Sequence, residues 1–397
     1  MSETTVISAE VIKKDPYNYT CLEMVNALGE DQAKSLFKAL YTKNPAKYQT
    51  LFIKDIYDGG DTRKYAFELE DHYCIETVCI RRKTGTTACI STMVGCPVGC
   101  VFCESGKNGF IRNLTPSEIV QQVVLLKESV NRIVVMGMGE PLFNYENLIK
   151  AIHILRDRDG LNFPTDGITV STVGPLQQLK KLREEHVKIQ LTLSLHATNQ
   201  RVRDIVIPHM KANNIQQVVD SVLDYSVRHN RKITIAYLLL PGLNDTPADV
   251  RQLGRWFRGK NVLINLLQYN ETSNPRLKRP NKQELVAFKI RLEQAGLEVI
   301  IRESRGNKIK AACGQLVSEY NKKSLAKNQS SIKESEVQEF GEVKKTARVK
   351  RTGDGAKRTV PNQSLSTDKR RLINADEKPK KKHPFAKQGL GLRRKKK

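Results

Sequence analysis

Between residues 86 and 305 short β-branched or apolar runs alternate with longer stretches of helical periodicity. A chain patterned in this way buries its strands by laying them in a parallel sheet with helices packed on it. The strand-like runs fall at residues 87–94, 132–137, 167–173, 189–195, 232–240 and 262–267, with 297–302 placed to close one edge. The helices between them carry their own start signals. Thr115-Pro116-Ser117-Glu118 sets an N-cap, a first-turn proline and a capping-box carboxylate in order, and Thr246-Pro247-Ala248-Asp249 repeats the arrangement. Six such strand–helix units suit an incomplete (β/α)6 barrel. A doubly wound open sheet is the competing layout, and periodicity alone does not separate the two. In both, reactive groups gather beyond the C-terminal ends of the strands.

Outside this core the pattern changes. Residues 16–60 read as helical, with amphipathic spacing at 21–25 and 33–40, and a strand pair at 64–69 and 73–80 leads into the core. The expected division is therefore an accessory region over 1–80, the barrel over 81–320 and a tail over 321–397. The tail carries 24 Lys and Arg against 8 Asp and Glu, or +16 of the chain's +25. With few large apolar residues it cannot bury enough surface to offset the entropy of ordering, so disorder is expected there. Such a charge also suits an arm that binds RNA phosphates by counterion release. The N-terminus lacks the basic and apolar regions of a signal peptide, and runs such as 233–240 are too short to span a bilayer. A cytoplasmic protein with no membrane segment is the expectation, and its eight cysteines are expected to be reduced.

Three of those cysteines crowd into one loop after the first core strand. Gly95-Cys96-Pro97-Val98-Gly99-Cys100-Val101-Phe102-Cys103 is a C-x3-C-x2-C run. Structural zinc wants four closed ligands, usually in two C-x2-C knuckles, and no neighbouring His or Cys supplies the fourth. A four-iron, four-sulfur cluster held by three cysteines leaves one iron open to an outside ligand, and this spacing is the signature of enzymes that use S-adenosylmethionine there. The supporting polar residues fall at strand ends. Gly139 and Glu140 follow the second strand, Ser171 ends the third, Ser194-Leu195-His196 the fourth, and Asn270 follows the sixth. Glycines there admit close backbone approach, and a carboxylate can accept from an amino group. One such residue is an ordinary strand end; four opposite a triple-cysteine loop outline a site.

With these residues on the page, the chain resembles the radical S-adenosylmethionine RNA methyltransferases that act on carbon 2 of an adenine in 23S rRNA, some of which also modify tRNA. The likeness runs from about Cys21 to Tyr320 and rests on GCPVGCVFC with the following GFIRNL, MGMGEP, VSTVG, LSLHA, LLPGLND and RGNKIKAACGQL. It implies that Cys96, Cys100 and Cys103 hold the cluster, and that Gly139, Glu140, Ser171, Ser194, Leu195, His196 and Asn270 contact the cofactor. It also implies that Cys313 is methylated by one S-adenosylmethionine. A second is cleaved to a deoxyadenosyl radical, which takes hydrogen from that methyl group before carbon adds to adenine. Cys89 then releases the product as a disulfide forms, while Glu76 removes the ring proton. A radical route suits the task, because an amidine carbon is electrophilic and cannot attack a methyl sulfonium. Strand alternation places Cys89, Ser91 and Met93 on one face. Cys313, in the polar segment Lys310-Ala311-Ala312-Cys313-Gly314-Gln315, reads poorly as a small buried hydrophobe.

The resemblance further implies a monomer supplied with electrons by flavodoxin or ferredoxin. Two features depart from the family pattern: Glu104 stands where relatives usually carry a small residue, and the N-terminal helical region is short. The rival activities are methylation of carbon 8 of the same adenine, which confers antibiotic resistance and uses the same catalytic residues, and RNA binding around a relict cluster.

Overall fold

The computed structural model of the chain describes residues 7–42, 45–317 and 320–321. Three helices open it: α1 Ala9–Lys14, α2 Cys21–Leu28 and α3 Glu30–Thr42. A capping box starts α2, with Glu23 Oε2 accepting from Thr20 N at 2.8 Å and Thr20 Oγ1 from Glu23 N at 3.2 Å. The helical expectation fails after this, because Leu51–Asp58 is a strand, β1. Most of β1 is exposed, so its side chains carry little pattern. It forms by antiparallel pairing with β2 (Thr62–Leu69), which in turn pairs with β3 (Cys74–Arg82). The pair β2 and β3 lies where the sequence places it.

Next to β3 the sheet becomes parallel at β4 (Gly85–Ile90), which is antiparallel to β3 but parallel to β7 (Arg132–Val135). The first core strand was expected to run through Val94. Instead the chain leaves the sheet at Ser91, because Gln122 accepts from Ser91 N and donates to Ser91 O, both at 2.8–2.9 Å. It then forms β5 (Met93–Gly95), which pairs with β6 (Phe110–Asn113) in a separate ribbon bracketing the cysteine loop. The alternation linking Cys89 to Ser91 and Met93 therefore ends at Ile90.

The remaining units follow in order. They are α4 (Pro116–Val124), β7 (Arg132–Val135), α5 (Tyr145–Arg156), β8 (Ile168–Thr172), α6 (Leu176–Glu184), β9 (Gln190–Ser194), α7 (Gln200–Val206), α8 (Ile215–His229), β10 (Ile233–Leu239), α9 (Pro247–Phe257), β11 (Val262–Gln268), α10 (Lys282–Gln294) and β12 (Val299–Arg302). The predicted capping boxes at Thr115 and Thr246 are both present, and Asn281 with Glu284 adds one at α10. The order β4-β7-β8-β9-β10-β11-β12 is sequential. It has no reversal, so it is not doubly wound. The sheet also curls: Arg302 Nη1, on the last strand, lies 3.7 Å from Met136 Sδ, just past β7. An unclosed sheet so curled is the incomplete barrel. Among the described residues no helix is long and apolar enough to cross a membrane.

The tail expectation falls outside the described residues except at its first position. Asn321 is buried, accepting from Cys74 N and donating to Cys74 O at 2.8 Å each.

Candidate active site

The cysteine loop is held by its backbone. Cys96 N donates to Gly109 O at 3.0 Å, Val101 N to Val206 O at 3.1 Å and Cys103 N to Cys100 O at 3.0 Å. Beneath it lie Val98, Val173, Val206, Ile207 and Met210 in an apolar floor. Cys96, Cys100 and Cys103 open onto one cavity at the C-terminal mouth of the barrel. Burial pushes the Cys96 thiol up to about 12 and raises those of Cys100 and Cys103, to which neighbouring thiols add.

Cys313 lines the same cavity, and it is exposed. Its segment is stitched to the cysteine loop. Glu104 N donates to Gly314 O at 2.7 Å, and Ser105 Oγ to Leu316 O at 2.6 Å. Gly314, at φ +82°, stands where a Cβ would come within 2.9 Å of Phe102 O, so only glycine permits this approach. Glu104 thus serves through its backbone and also accepts from Ser273 and Lys107. Asn270 Nδ2 donates to Cys313 O at 3.0 Å, while Ser304 Oγ donates to Asn270 Oδ1. Cys89, on β4, lines the wall between. Burial raises its thiol to about 12, Cys313 adds to the rise, and Arg302 opposes it.

Of the other expected contacts, Gly139, Glu140, Ser171, Ser194, His196 and Asn270 line this cavity. Gly139, at φ +106°, would drive a Cβ to 2.7–2.8 Å of Met93 and Thr92. Ser171 and Ser194 hydroxyls lie 3.1 Å apart on β8 and β9. His196 Nδ1 accepts from Leu238 N at 3.0 Å, and burial lowers the imidazole to about 3, so the ring is neutral. Glu140 is more constrained than its sequence position implies. Its carboxylate accepts from Thr172 Oγ1 at 2.5 Å, Val173 N at 2.9 Å and Leu142 N at 3.1 Å, and burial still raises it to about 7.

Leu195 and Glu76 are not among the residues lining the cavity. Leu195 is fully buried, its N–H donating to Ala236 O and its carbonyl accepting from Arg203 Nη1 at 2.7 Å. Glu76 lies on the β3 face that carries Val78 and Ile80 into the cavity, but its carboxylate is in a buried ion pair. Lys64 Nζ is 2.8 Å from Oε1, and Val317 N donates to Oε2 at 3.0 Å. Removing one partner of such a pair costs about 3–5 kcal/mol. Lys64→Met is therefore expected to lower the free energy of urea unfolding by about that much, and adding Glu76→Gln to recover most of it. Equal stability of Lys64→Met and the unmodified chain would show that the pair is not held in solution.

Arg203 was not foreseen from the sequence. This fully buried arginine on α7 donates to the carbonyls of Leu195 and Val173 and lies near Cys100, Glu140 and His196. Burial lowers its pKa to about 10. Neither periodicity nor a motif marks it.

Comparison with known proteins accounts for this geometry. Residues 90–254 match the model of the Radical SAM superfamily. The chain is 50% identical over 258 residues, 65% of its length, to a probable RNA methyltransferase of Rhodopseudomonas palustris, of which that covers 72%. The chain belongs to the radical SAM RNA methyltransferase family. It is also 39% identical over 298 residues to a probable dual-specificity RNA methyltransferase RlmN of Thermotoga neapolitana, covering 74% of this chain and 85% of that one. The crystal structure of a radical SAM methyltransferase from Sphaerobacter thermophilus superposes with a TM-score of 0.73 at 32% identity, over 77% of this chain and 99% of the other.

As a radical SAM RNA methyltransferase, the protein uses a four-iron, four-sulfur cluster and S-adenosylmethionine and acts on RNA. Its own residues fit those groups. Three half-buried thiols, raised by desolvation and by one another, are the electrostatic setting that a cationic centre relieves.

Proposed function

We propose that the protein methylates carbon 2 of an adenine in 23S rRNA, and also in tRNA, by way of a methyl group carried on Cys313. The observation that carries this reading is the placement of Cys89 and Cys313 on the cavity onto which the three cluster cysteines open. One exposed sulfur and one buried sulfur facing the same space suit a carrier and a resolver. Relatives named dual-specificity RNA methyltransferases support a choice of more than one RNA.

In this reading Cys96, Cys100 and Cys103 hold the cluster, and Gly139, Glu140, Ser171, Ser194, Leu195, His196 and Asn270 surround S-adenosylmethionine. When bound, those groups supply the methyl group and the one-electron chemistry that activates it, with flavodoxin or ferredoxin as the reductant. Asn270 holds the Cys313 carbonyl and so fixes the carrier. After the carbon has joined the adenine, the Cys89 thiolate attacks the Cys313 sulfur. Before that attack the adduct's unpaired electron passes to a one-electron acceptor as its ring proton leaves. The sulfur–sulfur bond then forms, the carbon–sulfur bond breaks, and its electron pair stays on the transferred carbon, which takes up a proton to become the methyl group. A thiol reductant reopens the disulfide for the next turnover. Glu76 removes the ring proton. Its carboxylate faces the Cys313 segment through Val317, so that segment has to move for the carboxylate to reach the base. The protein acts as a monomer in the cytoplasm.

Nucleoside mass spectrometry of rRNA and tRNA from cells with and without the gene tests the product. The expected result is 2-methyladenosine that depends on the gene. Gene-dependent 8-methyladenosine would favour the resistance activity, and no change in any nucleoside would favour RNA binding around a relict cluster.

The basic tail supplies a separate expectation. Phosphate contacts strengthen binding and steepen its salt dependence without reading sequence. Deleting residues 322–397 is expected to weaken RNA binding by at least about tenfold at low salt and to flatten the slope of log K against log salt by several units. The methylated carbon should be unchanged. An unaltered slope in a filter-binding titration would rule out an RNA-binding arm.

A further inference from the structure

Arg302 is a charged side chain of the reaction cavity that the reading above leaves without work. It ends β12, is half-buried, and shares the cavity with Cys89, Cys313 and Met136. Among the described residues it has no carboxylate partner, and its hydrogen-bond contact is Met136 Sδ at 3.7 Å, a weak acceptor. The adjacent acid does not serve it, because Glu303 pairs with Arg305 at 3.4 Å, and Arg305 also pairs with Asp61. Its charge acts on the Cys89 thiol. An unpaired guanidinium inside a cavity is costly unless a ligand completes it.

The wall beside it points the same way. In the parallel register Arg302 pairs with Leu267 on β11, and Asn265 lies two residues back on the same inward face. Asn265 lines the cavity, and its Oδ1 is buried with no partner. A donor fork and a free acceptor on neighbouring strands, beside the two sulfurs, make a surface for a flat polar group rather than for a phosphate. Phosphates of a bound RNA stay at the rim, while the base to be methylated must come between Cys89 and Cys313.

We infer that Arg302 is a catalytic residue that donates a hydrogen bond to a ring nitrogen adjoining the carbon that receives the methyl group. This rests on the proposal of an adenine carbon 2 as the target. Carbon 2 of adenine lies between two ring nitrogens, both acceptors. A new bond to that carbon loads electron density onto them, so a cationic donor fixed there binds the transition state more strongly than the ground state. Losing one such preorganised donor costs about 10²–10³ in rate.

The test uses the full-length holoenzyme with Arg302→Lys and Arg302→Met, the second chosen because a thioether fits beside Met136. Three quantities are read: methylation of Cys313 from labelled S-adenosylmethionine without RNA, RNA affinity with its salt slope, and the single-turnover rate of RNA methylation. Cys313 methylation is expected to stay within about twofold, which also reports an intact fold. Affinity should change little with the slope unaltered, while the RNA methylation rate falls about 100-fold. On RNA carrying 1-deazaadenine or 3-deazaadenine at the target, one of the two analogues should slow the unmodified enzyme by a similar factor and make Arg302→Met cause no further loss. Loss of Cys313 methylation would make Arg302 a cofactor contact and overturn the inference. A slope reduced by about one with an unchanged rate would make it a phosphate contact and do the same, as would full additivity with both analogues. The product of the unmodified enzyme is identified first, so a methyl group on another carbon counts against the proposed function and not against Arg302.

Discussion

Cys89→Ala is expected to turn the enzyme into a trap for its own substrate. If Cys313 carries the carbon to the base, every step up to carbon–carbon bond formation can proceed without Cys89. The adduct then has no thiol to release it. Cys89 is buried on β4 while Cys313 is exposed on a loop, so replacing the buried thiol by Ala removes one small group and leaves the carrier accessible. Denaturing gels with labelled RNA should show a covalent protein–RNA species with Cys89→Ala, none with Cys313→Ala, and none with the double variant. Multiple-turnover methylation should fall to background in all three. Glu76→Gln should accumulate the same species if that carboxylate takes the ring proton. Normal turnover by Cys89→Ala, or an adduct that forms without Cys313, would defeat this division of labour and return direct transfer to consideration.

What the sequence disclosed and what it withheld follow from the range of the forces involved. Capping boxes at Thr115 and Thr246 are legible because donor and acceptor lie within one turn of each other. The C-x3-C-x2-C loop is legible for the same reason: three ligands for one centre sit in eight consecutive residues. The alternation of strand and helix implied a parallel sheet but left the barrel and the doubly wound layout open, and the sequential strand order with the curl between Arg302 and Met136 decides for the barrel.

Where a structure depends on a distant partner, the sequence was silent or misleading. β1 exists because β2 offers it a ladder across a tight turn, while its mostly exposed residues lack a clean period. The break at Ser91 depends on the side chain of Gln122, 31 residues away. The ion pair of Glu76 with Lys64, and the hold of Asn270 on Cys313 across 43 residues, are likewise matters of topology. Arg203 donates to carbonyls that every residue carries, so nothing in its neighbours' identity announces it.

The second large effect is expected from replacing Cys96, Cys100 and Cys103 together by Ala. Anaerobically reconstituted protein should contain about four iron and four sulfide per chain, and the triple variant none, with loss of the visible absorbance and of all methyl transfer, to Cys313 as well as to RNA. The fold should survive this loss. The loop is held by backbone bonds from Cys96, Val101 and Cys103, which Ala retains, and by an apolar floor of Val98, Val173, Val206, Ile207 and Met210. Ala leaves no buried donor or charge unmatched, so each change costs only the packing of one sulfur, about 1 kcal/mol. The metal-free triple variant should therefore unfold in urea close to the metal-free parent and bind RNA with similar affinity and salt slope. That pairing separates the cluster's chemical role from a structural one: a structural metal contributes folding free energy outright, and its loss would unfold the mouth of the barrel. Stoichiometric zinc without iron after anaerobic reconstitution would sink the assignment of these three thiols to the cluster, because a single ion would then occupy the loop in its place.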